Sequence, residues 1–195
     1  MSTLVGTRGA AESARWRTVD IIVVAILAVA FGVVFWAWSN YVWVWLAWLG
    51  IPWQYTVSGM WLMPAVVAPL IVRKPGAALF AEMVAAVVSV LLGSQWGLDV
   101  LLSGFVQGAG AELVFGFVMY RNFGLIVAVI AGAGAGIGEA LHDIPVYYAA
   151  TRPEIQFGIA ALDLLSAAAI AGIGGWLLVR SLRRTGALQA FPQGQ

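Results

Sequence analysis

The sequence predicts an all-α integral membrane protein with six transmembrane helices and both termini in the cytoplasm. Three observations carry that prediction. Hydrophobic residues make up 62% of the chain and charged residues 10%, against roughly 45–50% and about 25% in soluble domains. The apolar residues gather in six runs, at about 19–38, 57–72, 75–92, 98–120, 123–148 and 157–179, each near the length a helix needs to cross a bilayer. Nine of the ten basic residues fall where six crossings would leave them on one side.

Residues 1–15 are rich in Gly, Ala and Ser and read as a flexible cytoplasmic tail. Arg8, Arg15 and Arg17 precede the first run, which is too long for a signal peptide and lacks a following small-residue cleavage site. Arg73 and Lys74 separate the second and third runs, Arg121 the fourth and fifth, and Arg180, Arg183 and Arg184 follow the sixth. Only Arg152 lies in the opposite loops, so the positive-inside rule turns the loops near 39–56, 93–97 and 149–156 outward. Residues 16–184 form a single membrane domain on this reading, and 185–195 a second flexible cytoplasmic tail. Long apolar runs with no alternation imply helices rather than barrel strands.

The first outer loop carries Tyr41, Trp43, Trp45, Trp48, Trp53 and Tyr55. Such crowding fits an aromatic belt on a short interfacial helix near 42–49. It also fits a lid whose rings cover a ligand, and the two are compatible. Gly50, Pro52 and Gly59 supply turns.

Ionisable groups inside spans are costly, which makes them candidates for function. Glu82 lies ~10 Å and Glu112 ~13 Å from the cytoplasmic edge, at ~1.5 Å per helical residue. Glu139 is ~27 Å from that edge, in an outer layer with Asp143 and Asp163. Glu139, His142 and Asp143 share one helix face, and the same face runs inward through Gly136 and Gly132, whose spacing lets a neighbouring helix approach. For Glu82 and Glu112 the structural alternative is a polar contact to another helix's backbone.

Several chemistries are excluded. There is no cysteine, so there are no disulfides or thiolate sites, and one histidine makes a catalytic zinc centre a poor fit. Gly132, Gly134, Gly136 and Gly138 lack nucleotide-loop spacing, and no Walker sequence occurs. Ser89, Ser103 and Ser166 have no evident histidine partner and suit helix packing. A formal net charge of +1 announces no nucleic-acid partner. No cofactor is expected. Outer carboxylates beside Trp53, Trp61 and Trp96, with the amide of Gln107, describe a site for a small amino-bearing or cationic aromatic ligand.

The run Arg73-Lys74-Pro75-Gly76-Ala77-Ala78-Leu79, then Glu82 and Gly93-Ser94-Gln95-Trp96-Gly97, resembles the YkoE-like thiamine-type substrate-binding (S) components of energy-coupling-factor (ECF) transporters. So does Gly104-Phe105-Val106-Gln107-Gly108-Ala109-Gly110-Ala111-Glu112-Leu113-Val114-Phe115. The resemblance implies a non-enzymatic capture subunit in the plasma membrane that binds thiamine or hydroxymethylpyrimidine from outside. It implies as partners a transmembrane coupling protein and ATPase subunits. The family pattern often carries a further acid near position 89, where this chain has Ser89, leaving the form of the ligand open. The alternatives are a proton-coupled carrier or exporter of small organic cations, in which Glu82 and Glu112 exchange protons, and a membrane enzyme or sensor, for which no clustered machinery is visible. Small residues Ala25, Ala28 and Gly32 on the first span, and Ala78, Ala81 and Ala85 on the third, are the expected partner surface, unless they pack the six helices together.

Overall fold

The computed structural model describes residues 15–191, all helix or connecting turn. Most of the expected N-terminal tail therefore lies outside the described residues, as do the last four positions. Helix α1 spans Thr18–Ala37, α2 Met63–Val72, α3 Ala77–Leu91, α4 Asp99–Phe117 and α5 Leu125–Tyr147. The last crossing is α6, Pro153–Ser166, continued by a π-helical stretch, Ala167–Gly174, into α7, Gly175–Arg184. Among the described residues five helical stretches, the second of them Trp53–Val72, are long and apolar enough to cross a membrane. The sixth, α3, has 15 residues, about 22 Å of helix.

Two expected elements take a different form. The first helix does not end near position 38: it runs on through a π-turn at Trp38–Trp43 and a 3-10 turn at Leu46–Leu49. No Pro lies in this stretch and no Gly follows Gly32 until Gly50, whose φ of 67° turns the chain. The 42–49 segment is thus the end of α1 and not a separate interfacial helix. The second crossing is broken, a 3-10 segment at Trp53–Met60 leading into the short α2. Gly59 sits where an added Cβ would lie 2.4 Å from the Ser166 carbonyl oxygen.

Helix α2 is the axis of the bundle. All ten of its residues are buried, and it touches α1, α3, α4, α5, the π stretch and α7. A helix enclosed in this way cannot send its terminal N–H and C=O groups to water. Other elements complete it. The fully buried Glu82 of α3 accepts a hydrogen bond from Ala65 N at 3.0 Å, in the first turn. At the far end Arg183 Nη2 donates to Leu70 O at 2.8 Å. The two side chains thus take up backbone groups left open at the two ends of α2.

Glycines set the closest seams. Gly132 and Gly136 face the last crossing, with added Cβ atoms 2.5 Å from Ala167 O and 2.8 Å from Ala167 Cβ, the approach their spacing predicted. Gly134 and Gly138 face α4 instead, at 2.8 Å from Gly110 O and 2.4 Å from Val106 O. The alternating glycines therefore give α5 two close-packing faces. Between α1 and α3, a Cβ on Gly32 would lie 2.5 Å from Val88 Cβ.

That last seam corrects the expected partner surface. Ala28, Ala78, Ala81 and Ala85 are wholly buried, and Gly32 is buried with them. They hold the chain's own helices together, and of the first-span trio only Ala25 keeps surface. The outer face of α1 is apolar, with Ile22, Ile26, Val29 and Val33 exposed, as a lipid-facing or partner-facing stripe requires.

Among the described residues, the basic side chains other than Arg152 collect at one end of the bundle. There Arg17 forms a 2.7 Å ion pair with Asp20, and its Nη2 also donates to Ala190 O at 3.5 Å, so both ends of the described chain meet. Trp16 Nε1 donates to Pro75 O at 2.9 Å. Residues of the stretch read as a C-terminal tail take part in the core here, Leu188 and Phe191 being buried.

Candidate ligand-binding site

At the opposite end, two polar stripes and one aromatic stripe converge. On α4, Asp99, Ser103 and Gln107 recur every four residues, and on α5 so do Glu139, Asp143 and Tyr147. Phe35, Ser39 and Trp43 do the same along the extension of α1. Residues spaced by four lie on one helix face, and these faces enclose a cavity with an empty volume of about 550 Å³, including its open part. Tyr55 and Trp61 from the broken crossing, Trp96 from the turn before α4, and Ala86, Ser89, Val100 and Gly104 complete the lining.

Two features define its chemistry. Three carboxylates, Asp99, Glu139 and Asp143, line it and no Lys or Arg does. Its walls are aromatic and interlocked. Trp43 lies 4.8 Å from Trp61, 5.4 Å from Tyr55 and 6.4 Å from Trp96, between ring centroids. Trp96 in turn lies 5.3 Å from Tyr147. Trp61 Nε1 donates to Ser39 Oγ at 3.2 Å, and Gln95 Nε2 donates to Ser39 O. Gln107 Nε2 donates to Ser103 Oγ at 2.7 Å. Edge-to-face packing of this kind holds ring planes in fixed orientations, and an acidic, aromatic-walled hollow suits a cationic or amino-bearing ring.

Asp99 and Asp143 are joined by His142, whose Nδ1 is 2.9 Å from Asp143 Oδ1 and Nε2 3.3 Å from Asp99 Oδ1. The remaining oxygens accept from tyrosines: Tyr55 donates to Asp143 Oδ2 at 2.8 Å and Tyr147 donates to Asp99 Oδ2. Behind the cavity, Ser58 donates to Asp163 Oδ1 at 2.6 Å, and Gly59 N donates to Ser166 Oγ at 3.0 Å.

Of the residues singled out from the sequence, Trp61, Trp96, Gln107, Glu139 and Asp143 line the cavity. His142 and Asp163 stand behind it, buried and bonded as above. Glu82 contacts the α2 N-terminus and Trp53 is 60% exposed, and neither is part of the lining. Glu112 lies apart altogether. It accepts from Gly76 N at 2.6 Å and Ala78 N at 2.9 Å, capping α3, and from the Tyr120 hydroxyl at 2.6 Å. Burial and that carboxylate push the Tyr120 hydroxyl above its ordinary range, so it stays a donor at any physiological pH. The orphan N–H groups of a helix start account for this half-buried acid without a ligand. Asp99, Tyr147, Phe35 and Ser39 were missed, although the four-residue stripes through 99 and 139 were readable.

The comparisons with known proteins agree with this geometry. A solved structure described as an S-component of an ECF transporter superposes with a TM-score of 0.86 at 33% identity, covering 91% of this chain and 90% of that one. The class of protein that the fold and site define is therefore a membrane-embedded substrate-binding component of a transporter. The YkoE protein of Bacillus subtilis (strain 168), whose name gives it provisionally as an HMP/thiamine permease protein, is 33% identical over 181 residues, 92% of this chain and 91% of its own. A family model described as the permease component of an ABC-type cobalt transport system matches residues 19–138. The chain belongs to the YkoE-like family of ECF transporter S-components, and is a multi-pass protein of the plasma membrane. Among the described residues no group of three or more His, Cys, Asp or Glu side chains is arranged to hold a metal ion.

Proposed function

We propose that this chain is the capture subunit of an ECF-type vitamin importer, taking thiamine or its hydroxymethylpyrimidine precursor into the cavity between α1, α4 and α5. The observation that carries the reading is the lining: three carboxylates, six aromatic side chains and no basic group. Thiamine joins a permanently cationic thiazolium to an aminopyrimidine. The first is drawn to carboxylates and indole faces, and the second offers N–H donors to carboxylate and amide oxygens. The YkoE name of the B. subtilis relative points the same way.

The basic end of the bundle faces the cytoplasm on the positive-inside rule, so the cavity opens outward, under the Trp-rich end of α1. Binding alone cannot concentrate a ligand against its gradient, and the sequence carries no nucleotide motif. Energy then comes from partners, a transmembrane coupling protein and ATPase subunits. The exposed face of α1 around Ala25, rather than Ala28 and Gly32, is the first-span surface such a coupling protein can reach.

The test is direct. Purified protein, with no ATP and no pH gradient, should show saturable quenching of tryptophan fluorescence by thiamine or hydroxymethylpyrimidine. If neither ligand gives a saturable signal while the protein carries organic cations in exchange for protons, the capture reading is wrong and the carrier reading replaces it.

A further inference from the structure

The stretch that follows α7 lies folded against the bundle. The helix stops at Arg184, and Gly186, with φ 81°, turns the chain back. Residues 186–191 then bond among themselves, Gln189 N donating to Gly186 O at 3.3 Å and Phe191 N to Leu188 O at 3.1 Å. Leu188 and Phe191 are buried in the main apolar cluster of the bundle, while Ala187, Gln189 and Ala190 between them are exposed. At the start of α1, Arg17 Nη2 donates to Ala190 O at 3.5 Å, a long hydrogen bond, and the Arg17 guanidinium lies 5.8 Å from the Phe191 ring centroid. Arg17 is itself half exposed, where such contacts contribute little. The burial of two apolar side chains is set against the freedom that the ordered backbone gives up, which leaves such a segment at the low-stability end of a fold.

Charge adds a second argument. Residues 185–191 carry no charged side chain, yet they sit among Arg17 and the Arg180, Arg183 and Arg184 of the last turns of α7. Arg180 and Arg184 are exposed, and the Asp20 carboxylate is taken by Arg17 at 2.7 Å. A neutral segment therefore covers apolar surface at a basic end, where one bearing acidic side chains has the electrostatic advantage. The exposed apolar stripe of α1 starts just beyond Arg17, at Ile21 and Ile22, so the covered surface and the stripe adjoin. From this we propose that residues 186–191 are a displaceable strap, occupying in the free subunit the seat of an apolar, acid-flanked segment of the coupling partner. The strap closes over the cytoplasmic ends of α1 and α7 when the subunit is alone, and it leaves when the partner docks. The proposal rests on the capture reading above and concerns how that subunit meets its partner.

The chain has no cysteine, so introduced thiols report on the strap alone. Thr18→Cys and Ala190→Cys, both at exposed positions, carry spin labels on the full chain in nanodiscs, alone and co-purified with the coupling protein and ATPase subunits of the source organism. Paramagnetic resonance should show dipolar coupling between the labels in the free subunit and its loss in the complex; coupling unchanged in the complex overturns the strap. Ending the chain after Thr185 should leave thiamine affinity within about threefold of the parent. It should also raise the subunit recovered with limiting coupling protein by roughly 3- to 10-fold, the gain when a competing closed state is removed. Should the shortened chain not fold, Leu188→Ser with Phe191→Ser, which keeps the length and removes the buried anchors, makes the same comparison. Arg180→Gln with Arg184→Gln should lower that recovery about threefold or more while thiamine affinity is kept. Recovery that does not rise when the strap is removed, or that ignores the two arginines, overturns the proposal while thiamine binding leaves the capture reading standing. A parent that joins the coupling protein yet binds neither thiamine nor hydroxymethylpyrimidine overturns the capture reading and leaves the strap. A parent that joins no coupling protein overturns both.

Discussion

Removing the Glu82 carboxylate asks whether a fully buried intramembrane acid belongs to the ligand site or to the scaffold. Its Oε2 receives Ala65 N at 3.0 Å, its Oε1 has no hydrogen-bond partner, and it is absent from the cavity lining. Glu82→Ala strands the Ala65 N–H in the core of the bundle, costing about 1–3 kcal/mol. It also removes the buried methylenes of the side chain and leaves a cavity, costing about 1–2 kcal/mol more. A total near 2–5 kcal/mol would be a large share of the stability of a domain this size. Glu82→Gln keeps an acceptor for Ala65 but puts an NH₂ group where Oε1 has no partner. Its cost should be smaller, about 1–3 kcal/mol. Unfolding by sodium dodecyl sulfate, followed through tryptophan fluorescence, measures both losses. Thiamine titration of the folded fraction should give an affinity within about threefold of the parent. A Gln variant as stable as the parent that no longer binds thiamine would refute the argument and return Glu82 to the ligand.

Gly32→Val drives a Cβ to within 2.5 Å of Val88 Cβ and 2.8 Å of Ala85 O; folding and binding should fail together, whereas uptake lost with binding intact would restore Gly32 to a partner surface. Tyr120→Phe removes the hydroxyl donor to Glu112 and should cost roughly 1.5–3 kcal/mol of stability without changing thiamine affinity, as read in the same two assays. Trp43→Ala takes away the ring against which Tyr55, Trp61 and Trp96 rest. Ligand affinity should fall about tenfold or more, and an unchanged titration would exclude the aromatic wall from binding. A reporter fused after Gln195 should be active only in its cytoplasmic form, and activity of an exterior-type reporter there would invert the proposed orientation.

The roles of the acids within the apolar runs show where reading along the chain stops. Glu82, Glu112 and Glu139 look alike in sequence, each a lone carboxylate in an apolar run. In the structure Glu82 caps α2 and Glu112 caps α3, while Glu139 faces the cavity. The residues that decide this lie far away in the chain: 17 positions separate Glu82 from Ala65 and 34 separate Glu112 from Ala78. The small-residue spacing at Ala28 and Gly32 correctly marked a close helix approach, but spacing cannot say whether the approaching helix belongs to this chain. The cavity itself was partly visible, since the stripes 99-103-107 and 139-143-147 follow from helical periodicity alone. That they face each other does not.

Hydropathy and charge are sums over neighbouring residues, and a bilayer reads them the same way, so the sequence by itself determined the membrane location, the six apolar segments and the end of the bundle where the basic residues gather. The resemblance carried by residues 73–82, 93–97 and 104–115 determined the family. Tertiary structure alone decided which carboxylate lines the cavity and which meets a helix end. A buried acid is satisfied by whatever donor the fold brings to it, and that donor is set by packing between segments far apart in the chain.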